Sequence, residues 1–307
     1  MIRHRRKHFR ANEFITTWVT SSPSETITLP LRSGYSYNMT VDWGDGSTSE
    51  ITAWDDADKT HTFVSAGTQI ISISGTCESW YFNDGGDKLK FRTVESWGKI
   101  IFTALDHAFH GCENVTSFAE EGLQYSGTSL TRTWTNCFSA LSFPEVNALT
   151  SVTSLNRTWA NCSSATSFPE VNALTSVTDL YCTWYKCSSA TSFPDVNDLT
   201  NVTGLENTWR YCSSATSFPE VNALTSVTSL YATWYYCSAC TTVPVLMASS
   251  TALTNTEHAF DGIGSGMEGE VVELWDTNNF PNITDHADTF DDATGLDNYA
   301  DIPEDWK

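Results

Sequence analysis

Basic side chains are scarce in this chain once its first ten positions are passed. Arg3, Arg5, Arg6, Lys7 and Arg10 take five of the 16 lysines and arginines, so 11 remain against 37 aspartates and glutamates. A body this acidic repels nucleic acid and anionic membranes and stays dispersed in solution, so nucleic acid is not an expected partner. Long apolar runs are missing too. No segment approaches the ~20 consecutive apolar residues of a membrane helix, so membrane insertion is not expected. The opening runs into Ala11-Asn12-Glu13-Phe14 without the apolar core of a secretion signal. Catalytic signatures are lacking as well: no G-x-S-x-G elbow and no Ser, His and Asp set stands in a motif. No enzyme activity and no cofactor are expected on these grounds.

What the chain has instead is repetition. A 25-residue phrase such as TWANCSSATSFPEVNALTSVTDLYC recurs between about 109 and 243. Its tryptophan falls at Trp134, Trp159, Trp184, Trp209 and Trp234, and its cysteine at Cys112, Cys137, Cys162, Cys187, Cys212 and Cys237. Its proline falls at Pro144, Pro169, Pro194, Pro219 and Pro244. A fixed period of this length predicts a solenoid, whose coils cannot bury their apolar faces alone and must stack. In each coil Ala165, Phe168, Val171 and their equivalents read as a short strand that Pro169 stops. Leu174, Val177, Leu180 and Trp184 read as a return leg with a helical turn. Six of the nine cysteines occupy one repeat position. Their expected spacing of ~4.8 Å is wider than the ~3.8 Å a disulfide prefers, which predicts buried free thiols. Cys77, Cys182 and Cys240 lie off that ladder.

Before the repeats, short alternating runs separated by turn residues predict strands at Phe14–Thr20, 26–31, Tyr37–Asp42, 61–64 and 69–74, close enough together for a sandwich. Further β-type runs stand at 79–83, 89–94 and 99–103. The stretch Val41-Asp42-Trp43-Gly44-Asp45-Gly46-Ser47, followed by His61-Thr62-Phe63 and Gly67, resembles the PKD-type immunoglobulin-like domain over about 14–75. Asp42 and Asp45 are candidate calcium ligands, but bonding to turn amides explains them without a metal.

The repeat phrase resembles the BspA-like leucine-rich repeat of bacterial surface proteins over about 105–295, with Trp replacing the usual Phe in the central coils and Phe109, Phe260 and Phe290 keeping it at the flanks. The fold class expected is therefore mainly β: an N-terminal immunoglobulin-like β-sandwich followed by a leucine-rich-repeat-type solenoid of 25-residue coils. Residues 1–12 read as a basic arm, 13–76 as the PKD-like sandwich and 77–104 as a transition and cap. Residues 105–295 read as the solenoid and 296–307 as an acidic tail.

Candidate sites follow from the departures within the repeat. Where the frame leaves choice free, the chain places Tyr181, Tyr185, Lys186, Arg210, Tyr211, Tyr231, Tyr235 and Tyr236 around the Trp turn. Tyrosine beside Arg and Lys is the composition of a contact surface, and such rings also stack on sugars. The alternative is that these residues pad the return legs or pack on a sister copy of the chain. The arm residues Arg3, Arg5, Arg6, Lys7 and Arg10 are either a solvated tail or an anchoring peg for an acidic groove. His107, His110 and Cys112 have zinc-like spacing but read as structural. Glu145, Glu170, Asp195 and Glu220 form an acidic stripe that reads as a solvated edge rather than a glycosidase pair.

Both resemblances imply display and recognition. With no leader read in the opening, the expectation is a phage virion protein that decorates a capsid or forms a head or tail fibre. Its partners would be other virion or surface proteins and a host receptor or glycan. A bacterial cell-surface adhesin is the alternative, and a carbohydrate-active enzyme the third reading.

Overall fold

The computed structural model describes residues 12–307. Arg3, Arg5, Arg6, Lys7 and Arg10 of the expected arm lie outside the described residues. The architecture is mainly β. Its strands are β1 (Phe14–Thr20), β2 (Glu25–Thr28), β3 (Tyr37–Asp42), β4 (Thr48–Ile51), β5 (Thr60–Phe63), β6 (Gly67–Cys77), β7 (Phe91–Ser96), β8 (Ile101–Phe102), β9 (Ser117–Phe118) and β10 (Gln124–Tyr125).

One six-stranded sheet runs β4-β3-β6-β1-β7-β9, and β2 pairs with β5 in a small sheet of its own. β1 is flanked on both edges, by β6 and β7, and Phe14, Ile15, Thr16, Trp18 and Thr20 are buried. Gly44 closes the turn after β3 with φ +84°, and a Cβ there would collide with the Ile70 carbonyl oxygen. Only glycine meets both conditions. The sheet passes without a break through the boundaries expected at 76 and 104, since β7 and β9 belong to it. The run at 79–83 is not a strand. It makes a single bridge, Ser79 to Ala104, and turns its aromatic residues Trp80 and Phe82 into the core.

From about residue 105 successive repeats, here called coils, hydrogen-bond to one another, mostly 24 or 25 residues apart as far as about residue 255 and 29 apart beyond it. The expected helical turn of the return leg is absent, and the bonding pattern explains why. Thr183, Tyr185 and Cys187 donate their amides three residues back, to Leu180, Cys182 and Trp184. The residues between them, Cys182, Trp184 and Lys186, donate to Glu206, Thr208 and Arg210 of the next coil. A helix needs every amide within its own turn, and here alternate amides leave it. The residues two before and two after each Trp hold the left-handed region, as at Arg157 (φ +54°), Cys182 (+54°), Asn207 (+56°), Lys186 (+57°) and Tyr211 (+63°). Side-chain-bearing residues adopt that region at a cost, which the cross-coil bonds offset.

The strand expected at 165–171 is absent too. That leg carries isolated cross-coil bonds, such as Thr191 to Thr166, and the proline removes the next donor. Parallel bridges form instead five residues before each Trp, joining Ser129, Ser154 and Asp179, and then Gly204, Ser229, Asn255 and Asp285.

The core runs through the coils as ladders. Trp134, Trp159, Trp184, Trp209 and Trp234 stack with centroids 5.7–5.8 Å apart, and Phe260 and Phe290 continue the column. The threonine before each Trp is buried, and Thr183 donates to both Leu155 and Leu180 carbonyls at 3.0 and 2.8 Å. All nine cysteines are buried free thiols, and each ladder Sγ from Cys137 to Cys237 lies against the aromatic carbonyl one coil earlier. Residues 296–307 are not a free tail. They fold back through short 3-10 turns at Tyr299–Asp301 and Glu304–Trp306, and Trp306 stacks on His286 at 4.4 Å.

Candidate recognition cleft

The stacking register puts equivalent positions of successive coils side by side, so whatever occupies a free position becomes part of a column. Two columns flank each Trp where the backbone turns left-handed, and their side chains lie outside the Trp column. Arg157, Cys182 and Asn207 form the column two residues before Trp, and Tyr181 and Tyr231 stand in the column before that. Ala160, Tyr185 and Arg210 come from the column just after Trp. Together with Asn161 and Thr135 they line one cleft of about 460 Å³ that spans five coils. That volume lies within the ~300–1,000 Å³ of small-molecule sites.

Four of the eight residues expected at a binding surface, Tyr181, Tyr185, Arg210 and Tyr231, are brought together here. Lys186, Tyr211 and Tyr236 face a second, shallower groove with Phe138 and a row of serines. Tyr235 lines neither. Arg210 lies 4.4 Å over its ring, and it packs edge-on against Tyr211 and His258. Cations and rings alternate along this band: Lys186 sits over Tyr185 and Tyr211, and Arg157 over Tyr181 at 5.2 Å. Such contacts hold long cationic side chains in place while leaving their charge available.

The electrostatics are unusual for a chain of net charge −21. Arg32, Lys88, Lys90 and Lys307 each pair with a carboxylate. Among the described residues the other seven cations, Lys59, Arg92, Lys99, Arg132, Arg157, Lys186 and Arg210, form no ion pair, and of these Arg157 and Arg210 enter the cleft together. Arg157 donates to the Tyr181 hydroxyl at 3.4 Å, and Arg210 to Asn207 Oδ1 at 2.9 Å and the Tyr211 hydroxyl at 3.5 Å. Arg210 Nε is enclosed without a partner. Asn161 donates its amide to Asn136, which leaves its own Oδ1 as an acceptor for the cleft.

The chain matches no family model, no curated protein and no solved structure.

The other candidates separate clearly. Asp42 Oδ1 accepts from the Gly44 amide at 2.8 Å, and Asp45 accepts from Ser47 and from His61 Nε2. These bonds occupy both Asp45 oxygens and one of the two on Asp42. Partial burial pushes the Asp45 carboxyl up, but the bonds from Ser47 and His61 outweigh it and hold the group at about 2. His107 and His110 sit 5.5 Å apart in the first coil with both Nδ1 atoms enclosed and unpartnered, while Cys112 is buried in the thiol ladder. Among the described residues no group of three His, Cys, Asp or Glu is placed to hold a metal. Glu145, Glu170, Asp195 and Glu220 are all exposed beside their prolines.

Arg157, Asn161 and Asn207 escaped the sequence reading. The available signal was the register: Arg157 stands at the repeat position of Cys182 and Asn207, so it had to share their column, and stacking by about one period sets it over Tyr181.

Proposed function

We propose that this chain is a non-enzymatic, surface-displayed recognition protein. Residues 13–76 would form a PKD-like β-sandwich and 105–295 a BspA-like leucine-rich solenoid, carried on a virion as a decoration, head-fibre or tail-fibre protein. The small β2–β5 sheet, whose Phe63 lies edge-on to Trp43 of the main sheet, supports the first assignment. The 25-residue register of stacked coils supports the second. The observation that carries the recognition role is the band of tyrosines around Arg157 and Arg210, two guanidinium groups in one cleft with no carboxylate partner among the described residues. Tyr and Arg are the residues that dominate binding hot spots, because they offer large rigid area and directed donors.

The test is mass spectrometry of purified virions and of cell-envelope fractions, with the wild-type chain and with a Tyr185→Ala, Tyr235→Ala variant. Co-purification with virions is expected, with the double variant incorporated normally but reducing attachment of those virions to their target surface. Recovery from envelopes alone overturns the virion placement in favour of a cell-surface adhesin. Undiminished attachment by the double variant overturns the recognition role of the band.

A further inference from the structure

We propose that the cleft between Arg157 and Arg210 binds a saccharide carrying a carboxylate, such as a uronic or sialic acid residue. This rests on the recognition role proposed above and names its ligand class.

The lining divides into two kinds of group, and the ligand must satisfy both. Two guanidinium groups enter one cleft, and the protein supplies no carboxylate to either among the described residues. Arg157 is committed only to the Tyr181 hydroxyl and the Cys182 thiol, weak partners that leave its planar fork available to a carboxylate. Arg210 bonds only neutral acceptors, Asn207 Oδ1 at 2.9 Å and the Tyr211 hydroxyl at 3.5 Å, so its charge is uncompensated within the cleft. These groups call for an anion.

The remaining groups call for something larger than a bare anion. Tyr181, Tyr185 and Tyr231 present rings, which stack on the C–H faces of sugars. Asn161 Oδ1 is a spare acceptor, and Asn207, whose Oδ1 is taken by Arg210, keeps its amide hydrogens as spare donors. An acceptor, donors and aromatic faces in one cleft fit a ring that carries hydroxyls. A densely charged polymer is disfavoured: Glu206 stands in the column between Tyr181 and Tyr231 and pairs with neither arginine, and the surrounding chain is strongly acidic. The fitting ligand therefore has an isolated negative charge on a polyhydroxylated body.

The test uses the full chain and defined probes: N-acetylneuraminic, glucuronic and galacturonic acids as methyl glycosides, each beside its carboxyl methyl ester, with inorganic phosphate as a further anion. Affinities are read by calorimetry and by saturation-transfer NMR. At least one acid is expected to bind about tenfold more tightly than its ester. Arg157→Gln is expected to remove that preference while leaving the melting temperature nearly unchanged, because the Arg157 side chain holds only the Tyr181 hydroxyl, at 3.4 Å, and the Cys182 thiol. Arg210→Gln is expected to do the same, but Arg210 also packs on Tyr211 and Tyr235, so Arg157→Gln decides if that variant is destabilised. Tyr185→Ala is expected to weaken acid and ester alike. Equal binding of acid and ester, unmoved by Arg157→Gln, overturns the carboxylate assignment and leaves a neutral-sugar recognition protein. Binding of phosphate with no acid bound overturns it in favour of a phosphorylated ligand. If no probe binds, the saccharide assignment falls, and the attachment experiment above decides separately whether the band recognises anything.

Discussion

Trp184 and Trp209 stack with their ring centroids 5.8 Å apart and their planes 3° from parallel. Each indole is fully buried, and each Nε1 lacks a hydrogen-bond partner. The column is thus held by area and shape, against the cost of an unmet donor at every rung. Trp184→Ala should cost about 3–5 kcal/mol, since it opens a void that two neighbouring rungs cannot fill. Trp184→Phe should cost less than half of that, because it deletes the unmet N–H together with part of the ring, and Phe260 and Phe290 already serve as rungs. Denaturant unfolding of the two variants checks the order. Equal losses would show that the indole nitrogen is bonded in solution.

Much of this molecule was legible because its sequence repeats a period and alternates. β1 and β3 match their expected bounds: Tyr37–Asp42 alternates cleanly, Phe14–Thr20 is rich in β-branched and aromatic residues, and both end at turn residues. β4 was missed: Thr48–Ile51 offers one apolar residue, Ile51, and its strand exists because β3 lies beside it. The Trp leg was read as helical because Leu174, Val177, Leu180 and Trp184 fall three or four apart. That spacing also suits a coil that buries one face and sends alternate amides to its neighbour. Which column Arg157 joins depends on the left-handed backbone two residues before Trp, and single-sequence propensity gives an arginine no preference for that region. Four of the ten residues that line the cleft were legible as unusual residues in a frame, and the other six only as neighbours in space.

The thiols offer a second prediction. Cys112, Cys137, Cys162, Cys187, Cys212 and Cys237 are enclosed, and burial pushes each of them well above its ordinary value. Thiolate, not thiol, is the reactive form. Native protein at pH 8 should therefore resist alkylation by a water-soluble reagent at all six, and all nine cysteines should react once the chain is unfolded. Cys182 lines the cleft and is the residue expected to react first. Mass spectrometry after timed iodoacetamide exposure measures the order. Early labelling of a ladder cysteine would mean that the coils open locally.

The chain's end contributes to the stack, which gives a third prediction. The Phe290 amide donates to the Trp306 carbonyl at 2.9 Å, and the Trp306 ring covers His286 and lies against Phe290 and Trp275. A stacked array needs its last apolar face covered. Trp306→Ala should cost about 2–4 kcal/mol and raise amide exchange in the coils around Phe260 and Phe290 first. Uniform loss of protection along the array would mean instead that the coils unfold as a single unit.

At the other end, His110 ties stability to pH. Burial lowers its pKa to about 4 from an ordinary 6.5, with His107, Arg132 and Lys88 adding in the same direction and Asp84 opposing them. The folded chain therefore holds this imidazole neutral where the unfolded chain would protonate it. Between about pH 6.5 and about pH 4 the unfolded state binds the extra proton, so stability must rise with pH across that window. The contribution is complete above about 6.5 and gone once the pH has fallen through about 4. The ring is only half enclosed, so solvent screening reduces its effect to about 1 kcal/mol. His110→Gln should flatten the slope of unfolding free energy against pH in this window without changing the slope above pH 7. An unchanged slope in the variant would assign the pH dependence to other groups and place His110 in contact with water.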